Sequence, residues 1–100
     1  MMEAVLDRYI TTSPTVRGGR PHIVGTRLTV ADIALMYTRR HLTQEAIAEK
    51  YGLLLAAVYE ALAYYYDHKG LIDQSIAEDE AFAHEFQRTH ISPLQRKMKL

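Results

Sequence analysis

The sequence predicts a mainly α fold: a three-helix helix-turn-helix unit of the homeodomain or winged-helix kind, with an N-terminal β-hairpin or arm and a C-terminal helix. Three observations predict it. From Thr43 to Leu62 the run TQEAIAEKYGLLLAAVYEAL sets apolar residues at helical spacing on both sides of Gly52, the pattern of two helices joined by a short glycine turn. Ahead of it, residues 8–30 combine β-branched and apolar positions with the turn pair Gly18-Gly19. Behind it, Ile72, Ile76, Ala83 and Phe86 recur near one helix face before Ser92 and Pro93 break the pattern.

Each element has a local reason. Ile23, Val24, Leu28 and Val30 suit extended chain, and Gly18-Gly19 makes a turn with Arg17 and Arg20 on either side. Pro21 lacks an N–H, so its strand sits at an edge or a bulge. Strand alternation directs Ile23, Gly25 and Arg27 one way and Val24, Thr26 and Leu28 the other. Thr29 reads as a helix N-cap, with Asp32 as its partner in a short-armed capping box. The first helix is expected over about 30–40, with Ile33, Met36 or Leu35, and Tyr37 inward. Thr43 caps the second, whose Ile47 and Tyr51 share a face and whose Ala48 is small where helices cross. It stops at Gly52, where the chain needs positive φ. The third is expected from Leu55 to Lys69, with Leu54, Val58 and Leu62 as its buried stripe and Gly70 as its C-cap. The fourth runs from Leu71 or Ser75 to Arg88, and LQRKMKL forms a basic tail. Residues 1–30 are thus the arm, 30–70 the trihelical core, and 71–100 the C-terminal helix and tail of one domain.

At 100 residues and 48% hydrophobic content the chain suits one modest core, a size at which oligomerisation often adds stability. The absence of cysteine removes disulfides and thiolate metal sites. No apolar run is long enough to span a membrane. The opening MMEAVLDRY carries two acids and lacks a basic region before an apolar block, so no secretory signal is expected and the cytoplasm is the expected location.

A formal net charge of zero hides an uneven distribution. Residues 8–40 hold six arginines (Arg8, Arg17, Arg20, Arg27, Arg39 and Arg40) against Asp32 alone. Residues 41–86 hold Lys50 and Lys69 against nine acids, and residues 87–100 hold Arg88, Arg96, Lys97 and Lys99. Such blocks suit a basic face for an anionic partner and an acidic face for a basic one; the competing reading is mutual neutralisation within the fold or across a dimer. For Arg27 in particular, that reading is a pairing with Asp32 or with an acid of the later helices.

The third helix offers Leu55, Ala56, Tyr59, Glu60 and Ala63 on its exposed N-terminal side. Base reading usually requires Arg, Lys, Asn or Gln there, which leaves three readings: the helix meets DNA through shape and thymine methyls with Tyr59 its candidate contact, Arg17, Arg20, Arg27, Arg39 and Arg40 do the binding instead, or the trihelical unit is only a scaffold. Tyr64, Tyr65 and Tyr66 sweep about 200° of helix, so one or two should pack on the core or a dimer mate and at least one should be exposed. The histidines at 22, 41, 68, 84 and 90 match no metal-binding spacing, and the consecutive acids Glu78, Asp79 and Glu80 read as a solvated face. No nucleophile set, nucleotide loop, cofactor or small-molecule substrate is indicated, and a non-enzyme is expected.

The residues also carry a resemblance. GGRPHIVGTRLTV, with Gly18, Gly19, Pro21, Ile23, Gly25, Thr26, Arg27 and Val30 in place, resembles the bacterial domain-of-unknown-function 433 family. Ala61, Leu62, Tyr65, Tyr66 and Asp67 form a second anchor, and the similarity runs from residue 9 to about 78. One departure is Leu55, where the family has a Ser or Thr cap for the third helix. Members resemble VapB-type antitoxins encoded beside a PIN-like ribonuclease toxin. The resemblance implies an antitoxin of a type II pair, binding operator DNA through its basic N-terminal half, and a homodimer is expected because operator sites read by such motifs are usually two-fold. It implies a toxin contact in residues 70–100, where Ile72, Ile76, Phe82 and Phe86 would be the apolar anchors and Arg88 or Arg96 would reach the toxin's metal-binding acids. The alternative is a protein-interaction scaffold, or a stand-alone regulator without a toxin.

Overall fold

The computed structural model describes residues 8–89. Its fold divides into two units, with the boundary after Lys69. The first holds strands β1 (Ile10–Thr11) and β2 (His22–Ile23) and helices α1 (Val30–Thr38), α2 (Gln44–Tyr51) and α3 (Leu55–Asp67). The second is built on helix α4 (Lys69–Thr89). The mainly helical layout with a small antiparallel hairpin is the expected one.

The arm is short in strand and rich in turns. β1 and β2 pair antiparallel, Ile10 opposite Ile23 and Thr11 opposite His22. Two residues of ladder suffice because both isoleucines are buried and both strands lie against α3, so packing rather than sheet length holds them. Between the strands a 3-10 turn spans Arg17–Gly19, with Arg17 itself at φ 49°. The expected alternation through residue 28 does not occur. The chain turns sharply after Ile23, the Thr26 N–H donating to the Ile23 carbonyl at 3.0 Å with Gly25 at φ 79°. A left-handed third residue is what such a turn demands, and glycine takes it without a Cβ penalty. The Thr26 hydroxyl donates to the same carbonyl and accepts from the Leu28 N–H. The Ile23 N–H then reaches the Leu28 carbonyl at 2.9 Å, so residues 23–28 close on themselves.

Helix α1 starts on a complete capping box. The Asp32 N–H donates to Thr29 Oγ1 and the Thr29 N–H donates to Asp32 Oδ2, each at 3.0 Å. Its buried face is Val30, Ile33, Ala34 and Met36; Leu35 and Tyr37 are half-buried. The helix ends at Thr38, earlier than expected, because the chain turns over at His41 (φ 57°) and the Leu42 N–H returns to the Met36 carbonyl. Thr43 caps α2 through its side chain. Gly52, at φ 65°, closes a Schellman turn in which the Leu53 N–H bonds the Ala48 carbonyl at 2.9 Å. Ile47 and Ala48 are buried, whereas Tyr51, the last helical residue, faces solvent.

Helix α3 packs on α1 and α2. Its buried face is Ala57, Val58, Ala61, Leu62 and Tyr65. Leu54 was expected in that stripe but is 64% exposed. It is the N-cap, with extended ψ of 138°, so the four-residue helical step to Val58 does not apply. Leu54, rather than Leu55, is therefore the residue standing where a Ser or Thr would cap. The other end also differs: His68 is the C-cap and Gly70 lies inside α4. The reason is the His68 side chain, whose Nδ1–H donates to the Tyr64 carbonyl at 3.0 Å while its ring stacks on Tyr64. In α4, Ile72 and Ile76 are buried, and every residue from Ala77 to Thr89 is exposed.

The caps make two stability predictions of opposite sign. Thr29→Ala removes a buried cap and should lower unfolding free energy by about 1–2 kcal/mol, whereas Leu54→Ser supplies a missing one and should raise it by about 1 kcal/mol. Urea denaturation followed by circular dichroism, all variants at equal protein concentration, checks both.

Candidate functional site

The six residues expected to hold DNA do not form one patch. Arg17 is fixed by its neighbours. Its Nη1 donates to Asp32 Oδ2 and to the Arg27 carbonyl, each at 2.9 Å. Asp32 was the partner weighed for Arg27; the structure gives it to Arg17, and Arg27 contributes only its backbone oxygen while its side chain is exposed. Arg20 is half-buried beside His22, whose Nδ1 lies 2.9 Å from the Arg20 carbonyl and so must carry the proton. These residues sit at the N-terminal end of α1.

Arg39 and Arg40 lie at the other end of α1, where their backbone N–H groups both donate to the Leu35 carbonyl. Nine helical residues separate the two groups, about 13 Å along the axis. Both side chains are exposed. Tyr59 is 48% exposed on α3, and α3 carries no Lys, Arg, Asn or Gln at all. The lone tyrosine is thus a poor reader of base edges, and the exposed cations of Arg27, Arg39 and Arg40 suit phosphates instead.

The residues assigned to toxin binding also divide. Ile72 and Ile76 are 8% and 6% exposed and have little surface to offer a partner. Phe82 and Phe86 are 71% and 49% exposed, with ring centroids 6.2 Å apart. They stand one turn apart, so a partner would meet them together. The helix around them presents Glu78, Asp79, Glu80 and Glu85. Arg88 is ion-paired to Glu85 within the same helix, and both side chains stay exposed. Arg96 lies outside the described residues.

Of the tyrosines, Tyr65 is buried beneath Lys69, whose Nζ lies 5.8 Å from its ring centroid, while Tyr66 is 53% exposed and Tyr64 is half-buried. Among the described residues no three His, Asp or Glu side chains gather as a metal-binding group. No helix among them is long and apolar enough to cross a membrane.

Residues 10–65 match the family model described as "Protein of unknown function (DUF433)". The chain belongs to the DUF433 family. The matched span starts at β1 and ends near the last turn of α3, so the family frame is the hairpin and trihelical core of the first unit. A DUF433 member protein from Anabaena variabilis ATCC 29413, whose crystal structure was determined at 2.00 Å, is similar in fold. It shares 28% identity at a TM-score of 0.62, over 73% of this chain and 72% of that one. No curated protein matches the chain.

The division among arginines is measurable. Arg17→Gln breaks a half-exposed ion pair and a carbonyl contact and should cost about 0.5–1 kcal/mol, less at high salt; Arg40→Gln should change stability by under about 0.5 kcal/mol. Urea titrations in low and high salt separate the two.

Proposed function

We propose that this DUF433 chain is the antitoxin of a type II toxin–antitoxin pair, a non-enzymatic module that neutralises a PIN-like ribonuclease by docking α4 on it. The observation that carries the reading is the Phe82–Phe86 pair, apolar and exposed on a helix that is otherwise strongly acidic. Burying a phenylalanine is worth about 1.5–3 kcal/mol, and an amphipathic helix laid in a groove is a common way to collect it. The acids supply the matching electrostatics. A ribonuclease must attract RNA phosphates with cations, and a helix bearing Glu78, Asp79, Glu80 and Glu85 competes for the same basic surface. Phe82 and Phe86 are then the anchors, in place of the buried Ile72 and Ile76. Operator DNA is held by phosphate contacts from Arg27, Arg39 and Arg40, with little base reading by α3.

A second reading is favoured by one observation. Because α3 lacks every side chain that usually reads bases, the trihelical frame also suits a protein-interaction scaffold that binds no DNA. Salt separates the two, since phosphate binding loses affinity steeply as salt rises.

Co-expression with the product of the adjacent open reading frame tests the main reading. The expected result is a stoichiometric complex by size exclusion with light scattering, together with rescue of growth. Phe82→Glu with Phe86→Glu should abolish both while leaving helical content unchanged, because both side chains are exposed. A chain that neither forms the complex nor suppresses toxicity ends the antitoxin reading.

A further inference from the structure

The outer face of α3 has a pattern that neither DNA nor a toxin explains. Ala56, Tyr59, Ala63 and Tyr66 follow one another at steps of three, four and three residues, and all are exposed. At 3.6 residues per turn they fall within about 80° of arc, on the side away from the buried Val58 and Tyr65. The stripe alternates small, large, small, large. It is also self-complementary in size: reversed end for end about position 61, Ala56 lies opposite Tyr66 and Tyr59 lies opposite Ala63. A helix with this stripe is complementary to a second copy of itself running antiparallel, each tyrosine ring entering the space left by an alanine.

We propose that the outer face of α3 is the homodimer interface, formed by antiparallel packing of α3 on α3 of a second copy about a two-fold axis near residue 61. Charge supports this occupant. The first turn of α3 has no acidic residue and its N-cap gives no side-chain hydrogen bond, so its own first turn and cap supply no anion to the amide dipoles there. The same register brings the exposed Asp67 of the second copy level with Leu55 in that turn. The stripe carries no cation, so a nucleic acid gains no phosphate contact there, and an unrelated protein would not require the self-complementary order. Shape and charge therefore specify the same isologous contact. The opposing cost is the approach of the two Glu60 carboxylates on one flank, at the rim, where water screens them.

The register gives a compensating test on the full chain. By light scattering and sedimentation equilibrium the wild type should dimerise. Ala63→Tyr sets tyrosine against Tyr59 at both symmetry-related places and should raise the dissociation constant about 100-fold. Adding Tyr59→Ala exchanges small for large and should bring it back to within about tenfold of wild type. Because the sequence has no cysteine, Ala56→Cys with Tyr66→Cys gives an independent reading. The two positions lie about 15 Å apart within one helix, beyond disulfide reach, so oxidation should yield a covalent dimer that neither single variant forms. A monomeric wild type, a dimer indifferent to Ala63→Tyr, a helical double variant that stays monomeric, or the absence of the cross-link would overturn the proposal. These outcomes are independent of toxin binding, which uses α4.

Discussion

The hydrogen-bonded cluster of Thr29, Asp32 and Arg17 is the junction on which the first unit depends. Thr29 is 2% exposed, and its reciprocal bonds with Asp32 open α1. The same carboxylate receives Arg17, which also binds the Arg27 carbonyl. Just beside it, the Val30 N–H donates to the Pro21 carbonyl, and His22 bridges to Thr29 in antiparallel fashion. One helix start thus fastens three parts of the arm. The arrangement accounts for a left-handed, non-glycine Arg17, which costs free energy by itself and persists only where its surroundings over-determine it. It also explains how a hairpin with so little ladder stays folded: its register is fixed from the helix side.

This junction changes the meaning of the basic N-terminal half. A block of arginines in a sequence suggests an anion-binding face, but position in the fold decides which cations remain available. Arg17 is committed to Asp32, Arg27 lies near the start of α1, and Arg39 and Arg40 lie at its other end. Under the proposed DNA contact, phosphates would be met at two points with a gap between them. That contact has no continuous row of donors aimed into a groove, and α3 supplies none. The DNA contact proposed above would therefore rest on electrostatic attachment rather than on sequence reading.

Much of the fold was legible in the sequence because it rests on local rules. Thr29 with Asp32, Thr43, and Gly52 each act within four residues, and each acts as the local pattern says. The errors arose where one residue takes a role the pattern does not encode. Leu54 fits the apolar spacing, yet as an N-cap it has left the helix. His68 ends α3 with a ring that reaches back to its own last turn, so Gly70 is free to enter α4. The turn after Ile23 overrode strand alternation because threonine at 26 could satisfy the carbonyl and amide that a strand would have paired. The candidate site was less legible. Arg17 and Asp32 are fifteen residues apart, and a pairing at that distance has no periodic signature. Likewise, the apolar positions of α4 read as one stripe although Ile72 and Ile76 are buried and Phe82 and Phe86 are exposed.

The distribution of exposed apolar surface gives the last step. A chain of 100 residues buries a smaller share of its surface than a larger domain does and has little stability to spare. Phenylalanines and tyrosines held in water add nothing to that stability and invite association. Besides Tyr51 at the end of α2, the most exposed of them fall in two sets: Tyr59 and Tyr66 on α3 in one unit, Phe82 and Phe86 on α4 in the other. The first set is self-complementary in size and sparse in charge, which suits a permanent contact with an identical helix. The second is rimmed by carboxylates, which suits a basic surface that α4 itself lacks. A dimer built on α3 would then carry two acidic, phenylalanine-bearing helices, one from each copy.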